Sequence, residues 1–290
     1  MIYNFPRKKK NKITNYLTFS SPNPFSISVA TPGWNGKLYY STDTKTWAEW
    51  TGTEVNATEE GGTYALYFRG TGNTKIAGSD SNKWTLSGSS ISCTGNIESL
   101  LDYETVAAGQ HPAMALNCYS YMFYGCTSLT AAPSLPATTL ANYCYSYMFY
   151  GCTSLTTAPS LPATKVTSYC YRNMFNGCTS LTTAPSLPAT TLASYCYSYM
   201  FYGCTSLTTV PSLPATTLAI ACYAGMFTSC TSIKLAISQS SEYDKEYRIP
   251  KSGNGASSFN ALSSMFSKTG GTFTGTPSIN TTYYTSNTIV

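Results

Sequence analysis

Apolar positions between residues 118 and 247 recur with a fixed spacing. Cys118, Cys144, Cys170, Cys196 and Cys222 stand 26 residues apart, and Cys126, Cys152, Cys178, Cys204 and Cys230 repeat the same interval. Such self-similarity marks tandem supersecondary units that bury a shared core by stacking, because no one unit is large enough to bury its own apolar face. A representative unit reads C-Y-S-Y-M-F-Y-G-C-T-S-L-T-T-A-P-S-L-P-A-T-T-L-A-S-Y. Four near-identical copies span 118–221, and a fifth over 222–247 keeps Cys222, Met226, Phe227 and Cys230 before it degenerates. A weaker echo follows at Met265 and Phe266.

Within a unit the spacing predicts a helix from about Leu140 to Tyr150. Thr138 or Thr139 would cap its start after Pro136, and Gly151 would supply the left-handed residue that ends it. Leu140, Cys144 and Met148 then form one apolar stripe, with Phe149 beside it and Cys152 folding back past the cap. Pro159 and Pro162 exclude a long central strand, so a short extended segment near Leu155–Ala158 is expected. The columns Leu129, Leu155, Leu181, Leu207, Ile233 and Leu135, Leu161, Leu187, Leu213 would face inward, each buried leucine contributing roughly 1.5–3 kcal/mol.

From about Leu17 to Cys93 the pattern changes to short alternating runs broken by turn residues: Phe25–Ala30, Lys37–Ser41, Tyr64–Arg69 and Trp84–Ser87. These predict a small all-β, sandwich-like domain, with Trp34, Trp47, Trp50 and Trp84 serving its core rather than a ligand platform. The expected organisation is a basic arm (1–15), a β-rich domain and attachment module (16–91), an N-terminal cap (92–117), five repeats (118–247), and a degenerate repeat with C-terminal cap (248–290).

The phrase M-F-x-G-C-T-S-L-T, followed by a proline-bounded short strand, resembles the BspA-like class of leucine-rich repeats. The resemblance spans residues 92–247. It implies an α+β solenoid with a helix plus short strand per 26-residue unit, and a place among bacterial surface antigens or phage and prophage proteins. The Pro-Ala-Thr-Thr segment makes this unit longer than the commoner BspA-like one.

Composition narrows the function. Of 290 residues only 10% are charged, 42% are hydrophobic and 25 are tyrosine, so hydroxyls and amides must carry solubility. The net charge of +5 is concentrated in Arg7, Lys8, Lys9, Lys10 and Lys12. A solvated terminus explains that run better than nucleic-acid binding. No apolar run follows it to make a secretory signal, and none is long enough to span a membrane.

Residues 118–221 contain no Asp, Glu or His, and their only charges are Lys165 and Arg172. General acid–base catalysis has nothing to work with there, and phosphate-loop, nucleophile-elbow and zinc-protease motifs are absent. The chain is therefore expected to be neither an enzyme nor a cofactor binder. Eleven cysteines without a C-x-x-C pair, and a single histidine, His111, outside the repeats, argue against a metal site. Buried reduced thiols fit them best, while bridges between neighbouring copies remain geometrically open.

What remains is surface. On the predicted helix Ser146 and Tyr150 point outward and Tyr147 flanks the stripe. Tyr121, Tyr147, Tyr199 and Tyr124, Tyr150, Tyr202 then form two ladders, interrupted by Arg172, Asn173 and Asn176. Uncharged ladders of this kind suit recognition of a glycan or protein on a host surface, though tyrosines lying flat over neighbouring units explain them equally. The expected function is adhesion or host recognition by a virion-associated or surface-displayed protein, its β-domain docked to other virion or surface proteins. A cell-surface adhesin for host matrix protein and a structural decoration protein are the alternatives. The expected location is a virion or extracellular surface reached without a Sec signal peptide.

Overall fold

The structure is a computed structural model that describes residues 16–250 and 259–290. The basic arm of Arg7 to Lys12 lies outside the described residues. Nine strands open the fold: β1 (Leu17–Ser21), β2 (Ser26–Val29), β3 (Lys37–Ser41), β4 (Ala48–Trp50), β5 (Val55–Asn56), β6 (Thr58–Glu60), β7 (Thr63–Thr71), β8 (Trp84–Ser87) and β9 (Ile91–Thr94). With β10 (Leu129–Ala131), seven of them make a sheet ordered β10-β9-β1-β7-β3-β4, with β6 on β7; β5-β2-β8 make a second sheet. Phe19, Trp50, Phe68 and Trp84 pack edge to face or stacked between them at 4.8–5.9 Å. Trp34 stacks on Trp50 at 5.3 Å. Trp47 lies under the Arg69 guanidinium, 4.1 Å from its ring centroid.

The expectation of an α+β solenoid is overturned. No unit contains a helix, and the one α-helix among the described residues is α1 (Tyr103–Ala107), ahead of the repeats. Each C-Y-S-Y-M-F-Y-G-C segment is instead a ribbon of overlapping turns. In the first unit the N–H groups of Ser120, Met122, Tyr124 and Cys126 donate three residues back, to Asn117, Tyr119, Tyr121 and Phe123. The intervening Tyr119, Tyr121, Phe123 and Gly125 donate to Cys144, Ser146, Met148 and Tyr150 of the next unit at 2.7–3.0 Å. Every fourth residue is left-handed: Asn117, Tyr121 and Gly125, then Tyr143, Tyr147 and Gly151, and so on. One left-handed residue per turn excludes the α-helix, whose N–H groups must all reach four residues back.

The misreading has a definite cause. A turn ribbon with period four puts Cys118, Met122 and Cys126 on one face, and Tyr119 with Phe123 beside them, all buried. An α-helix gives the same i, i+4, i+8 stripe. The composition pointed the other way, because Tyr, Ser, Cys, Thr and Gly dominate the segment and the strong helix formers are nearly missing.

Beyond each ribbon the chain runs extended and touches its neighbours as short parallel contacts, such as the Thr157–Thr183 and Lys165–Thr191 bridges. The leucine columns face inward: Leu129, Leu155, Leu181, Leu207 and Ile233 are fully buried, as nearly are Leu135, Leu161 and Leu187, whereas Leu213 is partly exposed. The buried cluster is continuous from the β1 face to the far end of the stack.

Both ends of the stack are closed by other structure. At the start, Trp84 N–H donates to Met122, Ile76 N–H to Cys118, and β9 pairs in parallel with β10. Gly70 of β7 has backbone contact with Leu100 so close that a Cβ would overlap the carbonyl oxygen. This fixes the 3-10 turn Ile97–Leu100 against the sheet. At the far end, β11 (Thr209–Val210) pairs with β16 (Thr288–Ile289). There β12 (Lys234–Ala236), β13 (Lys245–Arg248), β14 (Gly270–Gly271) and β15 (Thr282–Thr285) form a sheet ordered β13-β15-β12-β14. Asn287 ties three segments, donating to Thr208 and Ser232 and accepting from Lys234 at 2.7–3.0 Å.

All eleven cysteines are free and buried. The second column bonds one layer to the next, since the thiols of Cys152, Cys178, Cys204 and Cys230 donate to the carbonyls of Phe123, Phe149, Phe175 and Phe201 in the preceding unit at 2.8–3.1 Å. Cys126 does the same to Trp84 at 3.2 Å. Two consequences are measurable. Thiol titration of the native chain with a bulky disulfide reagent yields no fast-reacting group, and eleven after denaturation. Cys152→Ala, which removes the sulfur and its donor together, lowers stability by about 1–2 kcal/mol in urea unfolding.

Candidate functional site

The turn ribbons place tyrosine rings on top of one another because each ring is one layer from its equivalent. Tyr121 and Tyr147 stack at 4.6 Å and 6°, and Tyr124 and Tyr150 at 4.8 Å and 9°. These spacings match the distance between hydrogen-bonded strands, about 4.7–4.9 Å. Within a layer Tyr121 and Tyr124 lie 5.5 Å apart, and Tyr147 and Tyr150 5.9 Å, so the four rings form one patch. All four are half-buried. Loss of solvent, followed by the adjoining tyrosine, raises the Tyr121 and Tyr124 hydroxyls above their usual pKa.

The third unit changes the surface. Asn173 is only 6% exposed and accepts a 2.7 Å hydrogen bond from the Asn176 amide. Arg172 lies between tyrosines of two layers, its guanidinium 5.9 Å from the Tyr147 ring and 5.6 Å from the Tyr169 ring. In the fourth unit Tyr199 and Tyr202 are 39% and 37% exposed. Tyr199 lies flat across the next layer, where a Cβ on Gly225 would run into its ring. Ser146, expected to point outward, is 2% exposed and donates across the layer to the Arg172 carbonyl at 3.2 Å. A lone helix would leave this side chain in solvent, but the ribbon stacks directly on the next layer and the serine meets that layer's backbone, as Ser120 and Ser198 also do.

A further column lies beside the ladders. Tyr143, Tyr169 and Tyr195 stack at 4.4 and 4.6 Å with interplanar angles of 5° and 7°. Each precedes a ladder residue by four positions and shares its left-handed backbone. Counting in fours from Tyr147 would have found it. Inside, Tyr119, Tyr145, Tyr171, Tyr197 and Tyr223 form a buried stack at 5.6–5.8 Å.

The patch is poor in charge. Besides Arg172, Lys83 reaches the Tyr124 ring at 5.4 Å. Among the described residues no group of three or more His, Cys, Asp or Glu side chains is placed to hold a metal ion, and no helix is long and apolar enough to cross a membrane.

Tandem layers joined by inter-layer hydrogen bonds, with leucine columns inside and a ladder of variable residues outside, define a repeat protein of the kind used for binding along an extended surface. The chain belongs to the BspA type leucine rich repeat family, whose model matches in six copies over residues 112–234 and 182–288, more than half of its length. No curated protein and no solved structure matches the chain.

Proposed function

We propose that the chain is a non-enzymatic adhesion or host-recognition protein displayed on a virion, of phage or prophage type, or on another extracellular surface. The stacked face of Tyr121, Tyr147, Tyr124 and Tyr150, continuing through Arg172 and Asn176 to Tyr199 and Tyr202, meets a host-surface glycan or protein. The β-rich N-terminal region docks to neighbouring virion or surface proteins. One observation carries this reading: rigid rings held in register over successive layers, partly open to solvent and nearly free of charge. Such rings give amphipathic contact area with little entropy left to lose.

The test is a glycan and matrix-protein array probed with the native chain and with a Tyr147→Ala, Tyr150→Ala double variant. The expected result is a specific ligand whose affinity falls at least about tenfold in the variant, as for loss of a central aromatic contact, while the melting temperature stays within a few degrees. A matrix protein as the ligand would favour a cell-surface adhesin. No ligand on any array would leave a structural decoration role.

A further inference from the structure

The buried Glu98 carboxylate, 2.7 Å from His111 Nδ1, is shut off from solvent. Polar atoms that solvent can reach, and that the protein leaves without a partner, gather instead in the third unit. The ribbons of the first, second and fourth units carry Ser120, Ser146 and Ser198 at one position, each buried and donating to a carbonyl of the following layer. The third unit has Arg172 there, the only charge on the four ribbons, and it has Asn173 and Asn176 where its neighbours have tyrosines. An inter-layer bond and two stacked rings are thus given up together in one unit of an otherwise uniform stack, and open donors and acceptors stand in their place.

The Arg172 guanidinium lies in the corner between the Tyr147 ring of the preceding layer and the Tyr169 ring of its own. Only its Nε is closed off; the terminal nitrogens are open and form no ion pair with a carboxylate among the described residues. Asn173 accepts from the Asn176 amide through its carbonyl oxygen at 2.7 Å, which leaves the Asn173 amide and the Asn176 carbonyl oxygen open beside it. We propose that the third unit binds a sugar acid, a pyranose bearing a carboxylate, with that carboxylate on the terminal nitrogens of Arg172 and ring hydroxyls on Asn173 and Asn176. A guanidinium offers paired N–H donors that match the two oxygens of a carboxylate, and the two amides supply one donor site and one acceptor site for hydroxyls. The inference rests on the reading of the tyrosine face as a recognition surface and narrows its ligand. An acidic side chain of a protein shares the carboxylate but brings no cluster of hydroxyls to meet the amides.

Methyl glucuronide and methyl glucoside differ only where a carboxylate replaces a hydroxymethyl group. Titrated into the full chain and followed by saturation-transfer NMR, the glucuronide is expected to bind with a Kd on the order of 1 mM, and the glucoside at least about tenfold more weakly. Arg172→Ser gives the third unit the residue of its neighbours, so the stack stays intact while the difference between the two sugars disappears. Arg172→Lys keeps the charge but loses the paired donors, and glucuronide binding weakens by about tenfold. A glucuronide that binds no tighter than the glucoside, or whose binding survives Arg172→Ser, overturns the inference. A response to Nα-acetyl-glutamate methylamide in place of the glucuronide also overturns it and makes an acidic protein segment the ligand. The Tyr147→Ala, Tyr150→Ala double variant keeps the two readings apart: an array ligand that it abolishes upholds the tyrosine face even where the glucuronide fails.

Discussion

Raising the pH from about 9 to about 11 is expected to unfold the repeat stack while the peptide bonds and all side chains remain chemically intact. Burial raises the pKa of all eleven thiols above the ordinary 9.0, to about 12 for Cys126, Cys178, Cys222 and Cys230. In this window the unfolded chain releases thiol protons that the folded chain keeps, so the folded state binds more protons and its stability falls as pH rises. The contribution is whole below 9 and declines until the folded thiols themselves ionise. Each thiol loses about 1.4 kcal/mol per pH unit, so one unit above the ordinary thiol value the set opposes folding by on the order of 10 kcal/mol, as much as many domains possess. The buried Tyr119, Tyr145, Tyr171, Tyr197 and Tyr223, also pushed up by burial, add to the effect above 10.0. Circular dichroism melting in reducing buffer at stepped pH checks this. A melting temperature that holds steady to about pH 11 would contradict the buried-thiol core.

The second large effect is expected at the centre of the phenylalanine column. Phe123, Phe149, Phe175, Phe201, Phe227 and Phe266 stack in sequence at 5.4–5.8 Å, all fully buried. Phe175→Ala leaves a cavity bordered by rings above and below and costs about 3–5 kcal/mol. In a linear stack each layer is stabilised only by its two neighbours, so the damage concentrates around residues 149–201 rather than spreading evenly. Tyr202→Ala, on the partly open face, changes stability by no more than about 0.5 kcal/mol. Urea unfolding gives the two magnitudes, and hydrogen exchange shows where protection is lost. Equal losses for the two variants would mean that the phenylalanines are not the axis of the core.

The repeat length, the inward leucine and cysteine columns and the β-strand character ahead of them were legible in the sequence because each depends on spacing and polarity alone. The local backbone was not. Cys144, Met148 and Cys152 are compatible with a helical turn and with a four-residue turn ribbon, and only the second places Tyr143 and Tyr147 in the left-handed region. Non-glycine residues rarely adopt it, so only Gly151 announced it. Weighting propensity above periodicity would have favoured the ribbon. The Glu98–His111 pair was invisible for another reason: its members are thirteen residues apart and are brought together by tertiary packing, with the 3-10 turn that carries Glu98 lying tight against the sheet at Gly70.

Within the repeats the inter-layer bonds recur at the same places in successive units, with a constant offset of 25 residues for the backbone ladder and 29 for the thiols. Removing one internal copy would therefore bring together ends that already fit, and inserting one would create no unfamiliar junction. Recombination between near-identical copies thus becomes a structurally neutral way to lengthen or shorten the protein by one rung at a time, with reach set by gene rearrangement and not by point substitution.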